Sequence, residues 1–139
     1  MAFQLSFESQ HKYATREGNL NVRTILSTAT QQVHCVAAID TGATVCLFQR
    51  ELGEALDLDL ETGPFIQLST LTGTLRAYGH EVTLQTFDVV LQTTVYFAAT
   101  HGLERNLLGR IGWLQQVKLG IVDHDELIYL SHYDDADVG

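Results

Sequence analysis

Apolar residues in this chain recur mostly at every second position, in short runs bounded by polar or glycine-containing turns. That period predicts strands. Such runs lie at residues 3–7, 20–26, 33–39 and 45–48. Pro64 opens another at 64–69, where a strand tolerates proline because no ladder N–H is lost from its interior. Residues 75–86 read as a long strand, and 93–99 as one rich in β-branched and aromatic side chains. Residues 117–122 and 126–131 flank Asp123, His124 and Asp125, a polar hairpin turn. Two segments break the alternation. In 49–56, Leu52, Ala55 and Leu56 are spaced i, i+3, i+4, which predicts a short amphipathic helix. Residues 109–116, with Ile111 and Leu114 three apart beside Trp113, are a second helix candidate. The expected fold class is all-β with one or two short helices.

The most informative stretch runs from Val36 to Phe48. An apolar strand (Val36, Ala37, Ala38, Ile39) leads directly into Asp40-Thr41-Gly42-Ala43, and a second apolar run follows. Asp and Gly both suit turns, so the triplet taken alone reads as a hairpin corner. Its flanks change that reading. A carboxylate emerging from an apolar strand is costly to desolvate unless the site satisfies or uses it. Thr41 can donate and accept through its hydroxyl, and Gly42 lets another chain approach closely.

Ile39-Asp40-Thr41-Gly42-Ala43 resembles the active-site signature of the retropepsin-like, single-lobe aspartic proteases, with bacterial members the nearest in character. Asn106-Leu107-Leu108-Gly109-Arg110 is similar to the late apolar-apolar-Gly-Arg motif of that family, and Gly112-Trp113 suits its bacterial members. The resemblance spans about residues 33–130. It implies a closed, single-lobe acid-protease β-barrel with Asp40 as the catalytic carboxylate and Thr41, Gly42 and Ala43 supporting its loop. It also implies a flap hairpin, here with strands around Leu71, Thr72, Gly73 and Thr74, that closes over an extended peptide. Tyr78 is far enough from Gly73 to be a strand-packing residue. In retroviral members an acid soon after the signature pairs with the late arginine. Here that place holds Thr44, leaving Arg110 to find another partner, across a dimer for example.

Aspartic peptidase chemistry needs two carboxylates, and this chain carries one Asp-Thr-Gly and no internal repeat. Asp57, Asp59, Asp88, Asp123 and Asp125 lack the residues that follow Asp40. A two-fold axis would supply the second Asp40, so a symmetric homodimer is expected. Residues 3–7 and 126–131 are the candidates for a shared terminal sheet. The expected activity is an aspartic endopeptidase acting on a peptide or protein. The competing expectation is a catalytically silent dimerisation or peptide-binding module, with an accidental triplet in a structural β-domain as a third.

Composition narrows the partners. The 139 residues include only 8 Lys plus Arg against 17 Asp plus Glu, a net charge of −9. Counterion release needs clustered cations, so a nucleic-acid partner is not expected. No run nears the ~18 apolar residues of a membrane span, and the start lacks a basic region followed by an apolar one. A cytoplasmic setting follows as the expectation. Cys35 and Cys46 sit in apolar runs and read as buried, reduced, structural thiols. Six scattered histidines form no His-Glu-x-x-His spacing, and there is no Cys-x-x-Cys, so neither metal nor cofactor is expected. The expected division is N-terminal strands over 1–32, the protease domain over 33–132 and a solvated acidic tail over 133–139.

Overall fold

The computed structural model describes residues 1–13 and 18–135. Among these residues, ten strands carry the fold: β1 (Ser9–Lys12), β2 (Asn21–Ser27), β3 (Gln32–Ile39), β4 (Leu47–Phe48), β5 (Phe65–Thr70), β6 (Gly73–Thr86), β7 (Val89–Ala98), β8 (Asn106–Leu108), β9 (Val117–Val122) and β10 (Leu127–His132). An α-helix, α1 (Arg50–Ala55), follows β4. Single 3-10 turns lie at Leu60–Thr62, Leu114–Gln116 and Asp123–Asp125.

Six strands close on themselves in the order β2-β3-β8-β4-β7-β6, because β2 pairs with β6 as well as with β3. The pairs β3–β8 and β4–β7 are parallel, whereas the rest of the ring is antiparallel. Closure removes the open edges that a flat sheet would present. β5 stands outside the ring and pairs only with β6. The alternation read from the sequence becomes an inside and an outside. Along β7, Val89, Leu91, Thr93, Val95 and Phe97 point inward, while the residues between them are exposed or half-buried. Leu26, Phe48, Leu84, Leu108 and Trp113 complete the core, and the indole N–H of Trp113 donates to the buried Thr86 hydroxyl at 3.0 Å.

A three-stranded sheet, β1-β10-β9, gathers both ends of the chain. Its central strand faces Leu130 and Ile128 into the core. Ser9 lies opposite Leu130, and Ser9 Oγ also donates to Asp88 Oδ1 at 2.8 Å, which ties β1 to the turn between β6 and β7. His11 stacks on Phe87 at the same turn, ring centres 3.8 Å apart.

Several expectations are corrected. Residues 3–7 form no strand: Phe3 and Leu5 are 90% and 66% exposed, Phe7 alone packs on Tyr129 with ring centres 5.7 Å apart, and pairing starts at Ser9. β10, a candidate for a shared terminal sheet, is the central strand of β1-β10-β9, and the free edges of that sheet belong to β1 and β9. Residues 109–116 form no α-helix: Gly112 takes φ +99°, the amides of Leu114 and Gln115 reach back five residues to Gly109 O and Arg110 O rather than four, and only the 3-10 turn at Leu114–Gln116 remains. Cys35 is half-buried, unlike Cys46. In the acidic tail, Asp135 is held by Lys118 at 2.5 Å rather than solvated, and Asp137 lies outside the described residues. β2, one of the expected N-terminal strands, is part of the barrel, paired with β3 on one side and β6 on the other.

Candidate active site

The site is built where two distant segments cross. β3 delivers Ile39 to the barrel's end, and the Asp40 N–H donates to Leu108 O at 3.0 Å. β8 runs parallel to β3 there, with Ala38 opposite Leu107 and Ile39 opposite Leu108. The chain then turns sharply, the Ala43 N–H returning to Asp40 O at 3.1 Å. Within this turn the Gly42 N–H donates to Asp40 Oδ1 at 2.9 Å, orienting the carboxylate. A Cβ on residue 42 would lie 3.3 Å from that same oxygen. Asp40 is half-buried, while Thr41, Gly42 and Thr44 are exposed around it.

The late motif locks this loop from behind. Arg110 N–H donates to Ala43 O at 2.9 Å and Ile111 N–H to Thr44 O at 2.8 Å. Gly109 passes so close under the loop that any side chain would collide with backbone, 2.1 Å from Val45 O. Its N–H reaches Cys46 Sγ at 3.4 Å. Burial pushes the Cys46 thiol up to about 11, the Gly109 N–H offsetting this in part, and burial alone pushes Cys35 to about 11. Both are therefore neutral thiols near neutral pH, unsuited to nucleophilic work. The Arg110 side chain points to solvent and has no ion pair among the described residues.

The hairpin of β5 and β6 closes at Thr70 opposite Gly73, leaving Leu71 and Thr72 as its two-residue tip. Gly73 has φ +135°, and Thr70 Oγ1 braces the tip by donating to Gly73 O at 2.8 Å. Leu71 is fully exposed. Thr74 pairs with Ser69 at the hairpin's neck. Tyr78, farther down, packs on Phe65 with ring centres 5.6 Å apart, a strand-packing contact.

A cleft of about 480 Å³ separates this hairpin from residues 99–105. Thr70, Thr72 and Leu75 form one side, and Ala98, Leu103 and Leu107 face them. Of the residues singled out in sequence, Leu107 and Thr72 line this cleft, whereas Asp40 does not. Asp40 joins it through β8, whose Leu108 carbonyl holds the Asp40 amide. The sequence reading brought Asp40, the late motif and the hairpin into one region, but it missed the wall at 99–105. Nothing in that stretch except Gly102, with φ +98°, marks it as more than a connection. Among the described residues no group of three or more His, Cys, Asp or Glu side chains could hold a metal ion. No helix among them is long and apolar enough to cross a membrane.

With this geometry in hand, comparison with known proteins is informative. Residues 26–111 match the family model described as aspartyl protease. No curated protein matches the sequence significantly. Among solved structures, a retropepsin-like aspartic protease from Rickettsia conorii superposes with a TM-score of 0.63 at 18% identity, covering 88% of this chain and 98% of the other. The EIAV protease in complex with the inhibitor HBY-793 gives 0.52 at 16% identity, covering 70% and 88%. At such identities the superpositions speak for a shared fold, a single-lobe barrel of the retropepsin type.

Proposed function

From the premise that this chain belongs to the aspartyl protease family, we propose that it is an endopeptidase whose active form pairs two copies of Asp40, one from each subunit of a homodimer. The observation that carries the reading is the Asp40 loop. A carboxylate at the mouth of an apolar barrel is aimed by Gly42 and backed by Gly109, with Thr41 exposed beside it. One chain provides one such acid, and the chemistry calls for two.

Two carboxylates held a few ångströms apart do not both ionise, so the pair keeps one proton and titrates as a unit. This is established behaviour for aspartic peptidases. The ionised member takes a proton from a water molecule, whose oxygen attacks the peptide carbonyl carbon. The protonated member gives its proton to the carbonyl oxygen. Collapse of the tetrahedral intermediate breaks the C–N bond, with a proton passing to the departing amine. Thr41 of each chain would brace its partner's loop. The tip at Leu71, Thr72, Gly73 and Thr74 would act as a flap that excludes water, which strengthens the electrostatics beneath it. The peptide would lie as an added strand between flap and floor.

Pairing between subunits is supported by the free edge of β9 and by the exposed Ile111, Ile121 and Val122, apolar side chains that a partner would cover. The test is cleavage of an unfolded protein at mildly acidic pH by the wild type and by Asp40→Asn. The variant keeps an oxygen for the Gly42 N–H and should fold and associate normally, yet lose at least ~10³-fold in rate. Equal rates from both proteins would end the assignment. Peptide capture without cleavage by the wild type would instead mark a silent binding module.

A further inference from the structure

The wall of the cleft at residues 99–105 is an irregular seven-residue loop on the surface, a kind of segment that ordinarily moves. Here it is fastened from behind by one short element. Gln49 Nε2 donates to Leu103 O at 2.8 Å, and Arg50 Nη1 donates to Ala99 O at 2.9 Å. Glu54 Oε1 meets His101 Nε2 at 2.6 Å. These three side chains come from α1 and the residue before it, so one short segment reaches the wall at Ala99, His101 and Leu103. The Gln49 N–H also donates to Asn106 Oδ1 at 2.8 Å, which fixes where the wall enters β8.

Arg50 is the centre of this arrangement. Its side chain is mostly buried, and its planar fork is used in three directions: Nη1 to Ala99 O, Nε to Glu54 at 3.2 Å and Nη2 to Glu61 at 2.7 Å. Glu54 therefore holds Arg50 with one oxygen and His101 with the other. The Ala99 N–H in turn donates to Arg76 O on β6, so this single wall residue is bonded to the helix on one side and to the hairpin strand on the other.

We propose that Arg50 and Glu54, with Gln49, are positioning residues that set the shape and stiffness of the 99–105 wall, and through it the binding of peptide side chains opposite the hairpin. They touch neither Asp40 nor its loop; their action is on the cleft. The inference rests on the peptidase reading above. If it holds, loss of the clasp weakens substrate and transition state alike, raising KM while leaving kcat nearly unchanged.

Arg50→Lys is the informative variant, because it retains the charge but cannot reproduce a three-way fork. Glu54→Gln is the companion, keeping size while weakening both of its pairings. Three readouts are compared with wild type well below the melting transition: peptide cleavage kinetics, affinity for a statine-containing peptide, and amide hydrogen exchange by segment. The expected result is a KM higher by about tenfold for Arg50→Lys, from the loss of about two hydrogen bonds, with kcat within about twofold. Exchange should accelerate in 99–105 and stay as before in β3 and β8. Exchange unchanged in 99–105, or an apparent kcat that falls at unchanged KM as a loss of folded protein would give, would overturn the proposal. A wild-type protein that cut nothing would count against the peptidase reading alone, since the exchange comparison needs no turnover and still decides whether α1 anchors the wall.

Discussion

Gly109 lies directly beneath Val45, with no room for a side chain between the late motif and the acid loop: a Cβ on residue 109 would sit 2.1 Å from Val45 O, 2.6 Å from its carbonyl carbon and 2.9 Å from Ala43 O. All three obstacles are backbone, which cannot rotate away. Gly109→Ala should therefore destabilise the fold by at least about 3 kcal/mol, read from urea unfolding. A loss below about 0.5 kcal/mol would mean that the crossing is looser than described.

The hairpin tip offers a contrast. Gly73 has φ +135° but nothing within 4 Å of the place a methyl group would occupy, so the cost of a side chain there is conformational rather than steric. Gly73→Ala should cost about 1 kcal/mol and leave the barrel intact. If the tip closes over substrate, cleavage should slow several-fold while the thermal midpoint moves little. Unchanged kinetics would remove the flap role from this hairpin.

Acid should weaken the clasp in a definite order. The His101 contact, with help from Arg50, holds Glu54 below its ordinary value of 4.5, and Arg50 holds Glu61 below the same value. A carboxyl whose folded pKa is depressed binds fewer protons folded than unfolded. Its contribution is thus present above the unfolded value and lost as pH falls through the folded one. Mild acid near pH 5 should leave the thermal midpoint close to its neutral value, with decline setting in below about pH 4. In His101→Gln the largest cause of the Glu54 depression is gone, so the acid-induced loss should be smaller than in the wild type. Identical pH profiles for the two proteins would detach His101 from Glu54.

The thiols should differ in access but not in acidity. Both are pushed to about 11, some two units above the ordinary 9.0, leaving about a hundredfold less thiolate at neutral pH. Cys35, half-buried, should alkylate slowly in the native protein, and Cys46 only on unfolding. Rapid native labelling of Cys46 would contradict its burial behind the Gly109 amide.

Much of this architecture was legible in the sequence where local pattern and tertiary demand agree. The alternation in β6 and β7 survives as an inside and an outside face, and Leu52 and Leu56 do mark a helix. Asp40 stood out because an apolar strand ran into it. Reading failed where distant backbone overrode local spacing. Ile111 and Leu114 are three apart, yet Gly112 between them takes φ +99° and the amides of Leu114 and Gln115 reach back five residues instead of four. Residues 3–7 alternate like a strand, but Phe3 and Leu5 stay exposed and only Phe7 finds a surface, at Tyr129. The wall at 99–105 was invisible because two of its three tethers are carbonyl oxygens, which every residue has, reached by Gln49 and Arg50 from a distant part of the chain.

The pairing of β1 with β10 bears on how the molecule is made. Ser9 and Leu130 are 121 positions apart, so in a chain emerging in order β1 stays unmatched until β10 has been made. The acid loop and its Gly109 brace can assemble well before that. Completion of the fold is thus timed by the arrival of β10, and until then Ser9–Lys12 is an edge open to any neighbouring chain.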